Sequence, residues 1–466
     1  MSAIVGRFRE WLRDNRYGLF LISLVVGVGS ALGALVFRFL VYGFTWLATG
    51  SQEFGQAGLV PSAHLPWLGP AFYVLIPAAG GLIFGPIVYR WAREARGHGV
   101  PEVMIAVAEN GGCIRPQVAA VKALASALNI GTGGSVGREG PIVQIGSALA
   151  SALGQAIALP ASRLRILVAC GAAGGISATF NAPITGVFFG AEIILREISA
   201  GSLFAIMLSS MVADALIRPL LGNQPFLSQF PDGTELHHSV NYLLVAALAI
   251  IAAFAGQLFK WALYAVEDVC DRLWAGRPEW ARPAVGGLLV GVVLLALPQM
   301  YGVGYPVMFR ALRGDYALWF ILLLAAAKIF TTSLTLGVGG SGGVFAPSLF
   351  IGLMLGTAYG LAADQLFGPA AGSPALYAAI GMAGVFASGT RAPLTGLASV
   401  VEMTGDFSLV LPVMLTVAIS TLVSRSISYG TIYTQKLLRR GQDIERLQDF
   451  EYRRMLHAGG DEPSAA

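Results

Sequence analysis

The sequence predicts an all-α polytopic membrane protein made of two inverted structural repeats with broken and re-entrant helices. Three observations carry that prediction. Of 466 residues, 55% are hydrophobic and 12% are Asp, Glu, Lys or Arg, half the roughly 25% charged content of an ordinary soluble domain. Glycine occurs 59 times, well above its usual share of about 7%, which suits helices that pack closely or break. Long stretches of the first half recur in the second. A soluble enzyme is thereby excluded as the default. The net charge of +4 does not mark a nucleic-acid protein, because the basic residues gather at the chain ends and in short connections and not on one soluble face.

Taken in order, Arg7, Arg9, Arg13 and Arg16 precede an apolar run from Tyr17 to Leu47 that only Arg38 interrupts. That run is too long for a signal-peptide core, so residues 1–17 are expected to be a retained cytoplasmic segment before the first span. Further apolar segments fall at 67–91, 117–132, 141–156, 163–178, 183–197, 200–217, 240–267, 281–300, 317–336, 345–367, 375–388, 392–404 and 408–427. A bilayer core needs about 20 apolar residues per helix, so the shorter segments are expected to be tilted, broken or re-entrant. No Lys or Arg lies between Arg218 and Lys260, while both chain ends are Arg-rich. By the positive-inside rule both termini are cytoplasmic and residues 221–240 form an external linker. The first repeat is then 18–220, the second 241–440, and 441–466 a cytoplasmic tail. An inside end and an outside midpoint require an odd number of crossings per half, which inverts one half relative to the other.

The repetition is direct. Residues 121–146 match 327–352 at an offset of 206, pairing Lys122 with Lys328, Gly133-Gly134-Ser135 with Gly339-Gly340-Ser341, Pro141 with Pro347 and Gly146 with Gly352. Residues 169–192 match 379–402 at an offset of 210 and share A-P-x-T-G-x5-E, ending at Glu192 and Glu402. In each repeat a Gly-rich turn runs into Pro before an apolar stretch, as GREGP at 137–141 and GGVFAP at 342–347, and a third such turn is GHGVP at 97–101. Proline suits the first helical turn, where its missing N–H has no intrahelical partner. The unpaired amides and dipole of such a helix start hold an anion without a full positive charge. Interrupted helices in inverted repeats also place substrate sites near the membrane midplane.

GREGP, GGVFAP, GHGVP in the position of the usual GSGIP, FNAP at 180–183 and Tyr433 after the last apolar run resemble the CLC family of chloride channels and proton-coupled chloride exchangers, of bacterial type without C-terminal CBS domains. The resemblance covers residues 18–440. It implies a homodimer in the cell membrane with one anion pathway per subunit and an interface near 183–217 and 392–427. It implies Glu139 as the gating carboxylate, leaving an anion site when protonated or displaced by chloride. Anion contacts would come from His98, Gly99, Arg138, Glu139, Gly140, Val344, Phe345, Ala346 and Tyr433. Independently of the family, an acid at membrane depth is a functional candidate.

Two positions depart from the family. His98 stands where Ser usually coordinates the anion; it either donates an N–H to the anion or turns to solvent at the cytoplasmic mouth. Ile193 occupies the place of the internal glutamate of proton-coupled members and cannot relay a proton, leaving an uncoupled channel and an exchanger with a different proton route as alternatives. Glu192 and Glu402, present in both repeats, are expected to be structural groups at cytoplasmic helix ends. Fluoride export is a less favoured variant, since fluoride-exporting relatives depart from GREGP and the tyrosine motif; nitrate is another possible cargo. G-x-S-x-G at 133–137 and 339–343 admits an intramembrane serine hydrolase, but of five His only His98 is placed to act as base. His64, His237, His238 and His457 sit in loops or tail. No metal, cofactor or nucleic acid is expected, and Cys113, Cys170 and Cys270, far apart and without C-x-x-C, are expected to be small core residues.

Overall fold

The computed structural model describes residues 10–52, 54, 62–227, 230 and 239–446. The first residues of the N-terminal segment, most of the linker with His237 and His238, and the tail beyond 446 with His457 lie outside them. The described chain is helical throughout, with two isolated backbone bridges in place of strands. The first half contains α1 (Arg16–Thr49), α2 (Phe72–Trp91), α3 (Val100–Ala108), α4 (Gln117–Gly131), α5 (Glu139–Ala156), α6 (Ala161–Phe180), α7 (Pro183–Phe188), which continues as a π turn over Phe189–Leu195, and α8 (Ala200–Leu221). The second half repeats the order as α9 (Ser239–Trp274), α10 (Arg282–Ala296), α11 (Tyr305–Leu312), α12 (Leu318–Gly337), α13 (Phe345–Phe367), α14 (Pro374–Thr390), α15 (Pro393–Thr404) and α16 (Val410–Ile427), followed by α17 (Thr434–Arg439). Among the described residues, nine helices are long and apolar enough to cross a membrane. The protein is a multi-pass membrane protein of two inverted repeats.

In lipid, apolar burial gives helices little reason to associate, so close van der Waals approach and hydrogen bonds must do it. The glycines supply the approach. A Cβ on Gly146 of α5 would lie 2.2 Å from the Gly171 carbonyl oxygen of α6, and one on Gly171 would lie 2.3 Å from the Gly146 oxygen. The same reciprocal contact recurs between Gly352 of α13 and Gly381 of α14, at 2.3 and 2.2 Å. A side chain at any of the four would force the pair apart.

Helices α7 and α15 show the inversion most directly. Each starts at A-P after a left-handed residue, Asn181 with φ of 56° and Arg391 with φ of 55°. The Glu402 carboxylate, near the end of α15, accepts from the Ile184 and Thr185 amides and the Thr185 hydroxyl at 2.6–2.8 Å. Glu192, in the π turn after α7, accepts from the Leu394 and Thr395 amides and the Thr395 hydroxyl at 2.8–3.1 Å. Each helix start thus has its unpaired amides satisfied by a carboxylate from the other helix. Such reciprocity requires antiparallel helices, so the two glutamates sit at opposite ends of the pair. This corrects the expectation that both lie at cytoplasmic ends; their structural character is as expected. The cysteines also differ from expectation: Cys170 is buried, but Cys113 is exposed and Cys270 half-buried.

Candidate anion site

Three Gly-rich turns meet between the repeats. Gly137 and Gly343 exchange backbone hydrogen bonds at 2.8 and 2.6 Å, and Gly97 pairs with the 340–342 segment, donating to the Gly340 carbonyl at 3.0 Å. Crossing backbones at this distance leaves no room for side chains. A Cβ on Gly140 would stand 2.3 Å from the His98 carbonyl oxygen, and one on Gly343 2.6 Å from the Gly140 nitrogen. The starts of α3, α5 and α13 therefore converge.

Two buried lysines hold the turns. Lys122 Nζ donates to the carbonyls of Ala95 and Gly97 at 3.0 and 2.8 Å. Its repeat partner Lys328 donates to the carbonyls of Gly302 and Val303 at 3.1 and 2.9 Å and to Ser135 Oγ at 2.9 Å. These ammonium groups are satisfied by carbonyl and hydroxyl oxygens of the turns, which they tie in place. The serines of the two G-x-S-x-G matches have the same structural use. Ser341 Oγ donates to the Ala95 carbonyl at 2.6 Å and accepts from Ser126. Neither serine has a hydrogen bond to a histidine, so the matches mark a repeated turn and not a nucleophile.

Glu139 is fully buried at the first position of α5. Its Oε1 accepts the Tyr305 hydroxyl at 2.6 Å, and its Oε2 accepts the Ala346 amide at the start of α13 at 3.2 Å. The carboxylate thus lies across the helix start expected to bind an anion, with Val344 as its N-cap and Phe345 as its first residue. The Phe345 ring packs against those of Phe180, Phe189 and Phe386, with centroids 5.5, 6.3 and 4.7 Å away. Arg138, next to Glu139 in the chain, stacks its guanidinium over Tyr305 and Phe226 at 5.1 and 5.4 Å.

His98 is 3% exposed, and both ring nitrogens are buried without a hydrogen-bond partner. It does not turn to solvent. Its ring centroid is 6.0 Å from that of Tyr433, which is 1% exposed. Gly99 adjoins it, where a Cβ would meet Gln144 Oε1 at 2.8 Å. Ile193 is buried and lines, with Tyr433 and Glu192, a cavity of about 480 Å³ on the face from which the C-terminal segment emerges.

Sequence reading missed Tyr305 and the role of Lys328. The signal was present: GVGYP at 302–306 repeats GHGVP at 97–101 with an offset of 205.

A family model described as voltage gated chloride channel matches residues 80–425. The chain belongs to this family. A ClcB-like protein of Ralstonia nicotianae is 32% identical over 91% of this chain and 98% of its own length. The voltage-gated ClC-type chloride channel ClcB of Citrobacter koseri is 29% identical over 89% of this chain and 98% of its own. In fold, the CLC chain resembles the crystal structure of a slow cyanobacterial Cl⁻/H⁺ antiporter, with a TM-score of 0.78, 24% identity and coverage of 91% of this chain and 96% of that one.

Proposed function

We propose that this CLC protein moves chloride across the cell membrane, with Glu139 as the gate. The carrying observation is the position of the Glu139 carboxylate: a tethered anion hydrogen-bonded to the Ala346 amide at a helix start. Whatever site holds that carboxylate will hold a monovalent anion of similar hydrogen-bonding demand. Protonation removes the charge the amides favour and frees the site. Below it, His98 with two unpartnered ring nitrogens and the Tyr433 ring border the next stretch of pathway. A neutral imidazole offers one N–H to chloride and so replaces a hydroxyl donor. Chloride is favoured over fluoride because GREGP and Tyr433 keep the chloride-type pattern; nitrate, a similarly weakly hydrated anion, is the alternative cargo.

On this reading the protein is a transporter and not an enzyme, with chloride as its bound ligand and no cofactor or metal. It works as a homodimer across faces formed by residues 183–217 and 392–427, which expose Met207, Met211, Leu411 and Met414. On the same reading both termini are cytoplasmic and the membrane is an inner membrane, which the bacterial sources of the relatives support.

Chloride efflux from proteoliposomes, recorded with external pH, tests the proposal and separates channel from exchanger. Chloride flux is expected, steepening as pH falls. Uphill proton movement under a chloride gradient identifies an exchanger; chloride flux without proton movement identifies a channel. In Glu139→Gln the pH dependence and any proton coupling should disappear. A variant with unchanged pH dependence would remove Glu139 from the gating role.

A further inference from the structure

Tyr433 owes its place to a short segment that belongs to no helix. Ser428 leaves α16 in an extended conformation, with φ of −148° and ψ of 156°, and Tyr433 is the N-cap of α17. Alongside this segment, α9 supplies one polar side chain per turn. Gln257, Lys260 and Tyr264 follow one another at helical spacing and share one face. Gln257 Oε1 accepts the Ser428 hydroxyl at 3.1 Å. Lys260 donates to the same hydroxyl and, at 2.9 Å, to the Gly430 carbonyl. The Tyr264 hydroxyl donates to the Ile432 carbonyl at 2.7 Å. Successive turns of α9 thus hold alternate residues of the segment, ending on the residue before Tyr433.

The other side of the segment is fastened as well. Arg391 donates to the carbonyls of Ser428 and Tyr429, and the Ile432 amide donates to the Gly389 carbonyl at 2.8 Å. The far end of α17 returns to the same tyrosine of α9: the Arg439 guanidinium stacks over the Tyr264 ring at 4.6 Å and pairs with Asp268 at 2.6 and 3.0 Å. Tyr433 is buried, yet its hydroxyl makes no hydrogen bond to a described residue. A ring whose backbone is fixed this closely presents its unpaired O–H at a set place.

We propose that Tyr264 is a positioning residue for the transported anion. It fixes the Ile432 carbonyl, and through it the place of the Tyr433 hydroxyl relative to His98, whose ring centroid lies 6.0 Å from that of Tyr433. Gln257 and Lys260 are the preceding rungs of the same ladder. This rests on the chloride-transport reading and deepens it: α9, which contributes none of the expected anion contacts, sets the donor spacing in the inner part of the pathway and so its affinity for chloride.

The test is chloride exchange by reconstituted full-length protein over a range of symmetric chloride concentrations. Tyr264→Phe keeps the ring and its stacking with Arg439 and loses the bond to Ile432. A neutral hydrogen bond shifts an equilibrium by about two- to tenfold. The chloride concentration at half-maximal flux should rise by about that factor, with maximal flux near the wild-type level. Tyr433→Phe should raise it too, and adding Tyr264→Phe to that variant should change it by less than about twofold. Should Tyr264→Phe fail to fold, Lys260→Met, one rung away, takes its place with the same expected direction. Unchanged half-saturation in Tyr264→Phe, with or without a lower maximal flux, overturns the proposal, as does wild-type half-saturation in Tyr433→Phe. So does an equally large Tyr264 effect with and without the Tyr433 hydroxyl, which would mean that Tyr264 acts elsewhere. Absence of chloride flux in wild type instead overturns the transport reading on which the proposal stands.

Discussion

Tyr305 donates one hydrogen bond of 2.6 Å to the Glu139 carboxylate while its ring lies beneath the Arg138 guanidinium. A hydrogen bond to a charged group contributes about 1.5–3 kcal/mol, so Tyr305→Phe, which keeps the ring and its stacking, should release Glu139 roughly ten- to a hundredfold more readily. The expected readout is higher chloride flux at alkaline pH, where Glu139 is ionised, with little change at acid pH. Equal flux across the whole pH range would show that the hydroxyl does not hold the gate. Glu139 itself was legible in the sequence because a carboxylate between glycines at a helix start has few structural uses at membrane depth. Tyr305 was not, because a tyrosine in an apolar stretch reads as an interfacial aromatic until its repeat-equivalent turn is aligned with GHGVP. His98 was legible as a departure, but only the structure shows that both its ring nitrogens are buried without a hydrogen-bond partner.

At the scale of elements, the long spans follow from uninterrupted apolar runs, and the helix starts from Gly-Pro punctuation. Helices α3 and α11, of nine and eight residues, escaped notice as elements because they are too short to give a periodic signal, although the turn before α3 was marked. The π turn after α7 has no sequence signal, and it carries Glu192. A group that caps a helix and a group that carries protons make opposite predictions. Glu192→Gln and Glu402→Gln each weaken three hydrogen bonds at the start of the partner helix, which should cost about 1–2 kcal/mol apiece. Because the two caps sit at opposite ends of the α7–α15 pair, their effects should add. Thermal denaturation followed by size-exclusion chromatography should show similar losses for both and a summed loss for the double variant. Chloride flux per folded molecule and its pH dependence should stay at the wild-type level; a selective loss of proton movement in Glu192→Gln would make it a carrier.

Across the whole molecule, the inverted repeats and the distribution of basic residues constrain one another. Repeat-equivalent elements run in order through both halves, from α1 and α9 to α8 and α16, and the reciprocal caps of α7 and α15 fix the two halves as antiparallel. An antiparallel pair of halves requires the connection between α8 and α9 to lie on the opposite side of the membrane from both chain ends. That connection falls in the stretch free of Lys and Arg between Arg218 and Lys260, whereas α17 and its surroundings carry Lys436, Arg439, Arg440 and Arg446. The positive-inside rule then assigns the proposed orientation, with the connection outside. Gln224 and Arg446 are exposed on these two segments, so a single cysteine at either position reports its side, provided the exposed Cys113 is first replaced by serine. In intact cells a membrane-impermeant maleimide should label Gln224→Cys and leave Arg446→Cys untouched until the membrane is permeabilised. The reverse pattern would invert the assigned orientation while leaving the repeat symmetry intact. Labelling of both positions in intact cells would break the antiparallel relation, and with it the convergence of α3, α5 and α13 on which the proposed anion pathway depends.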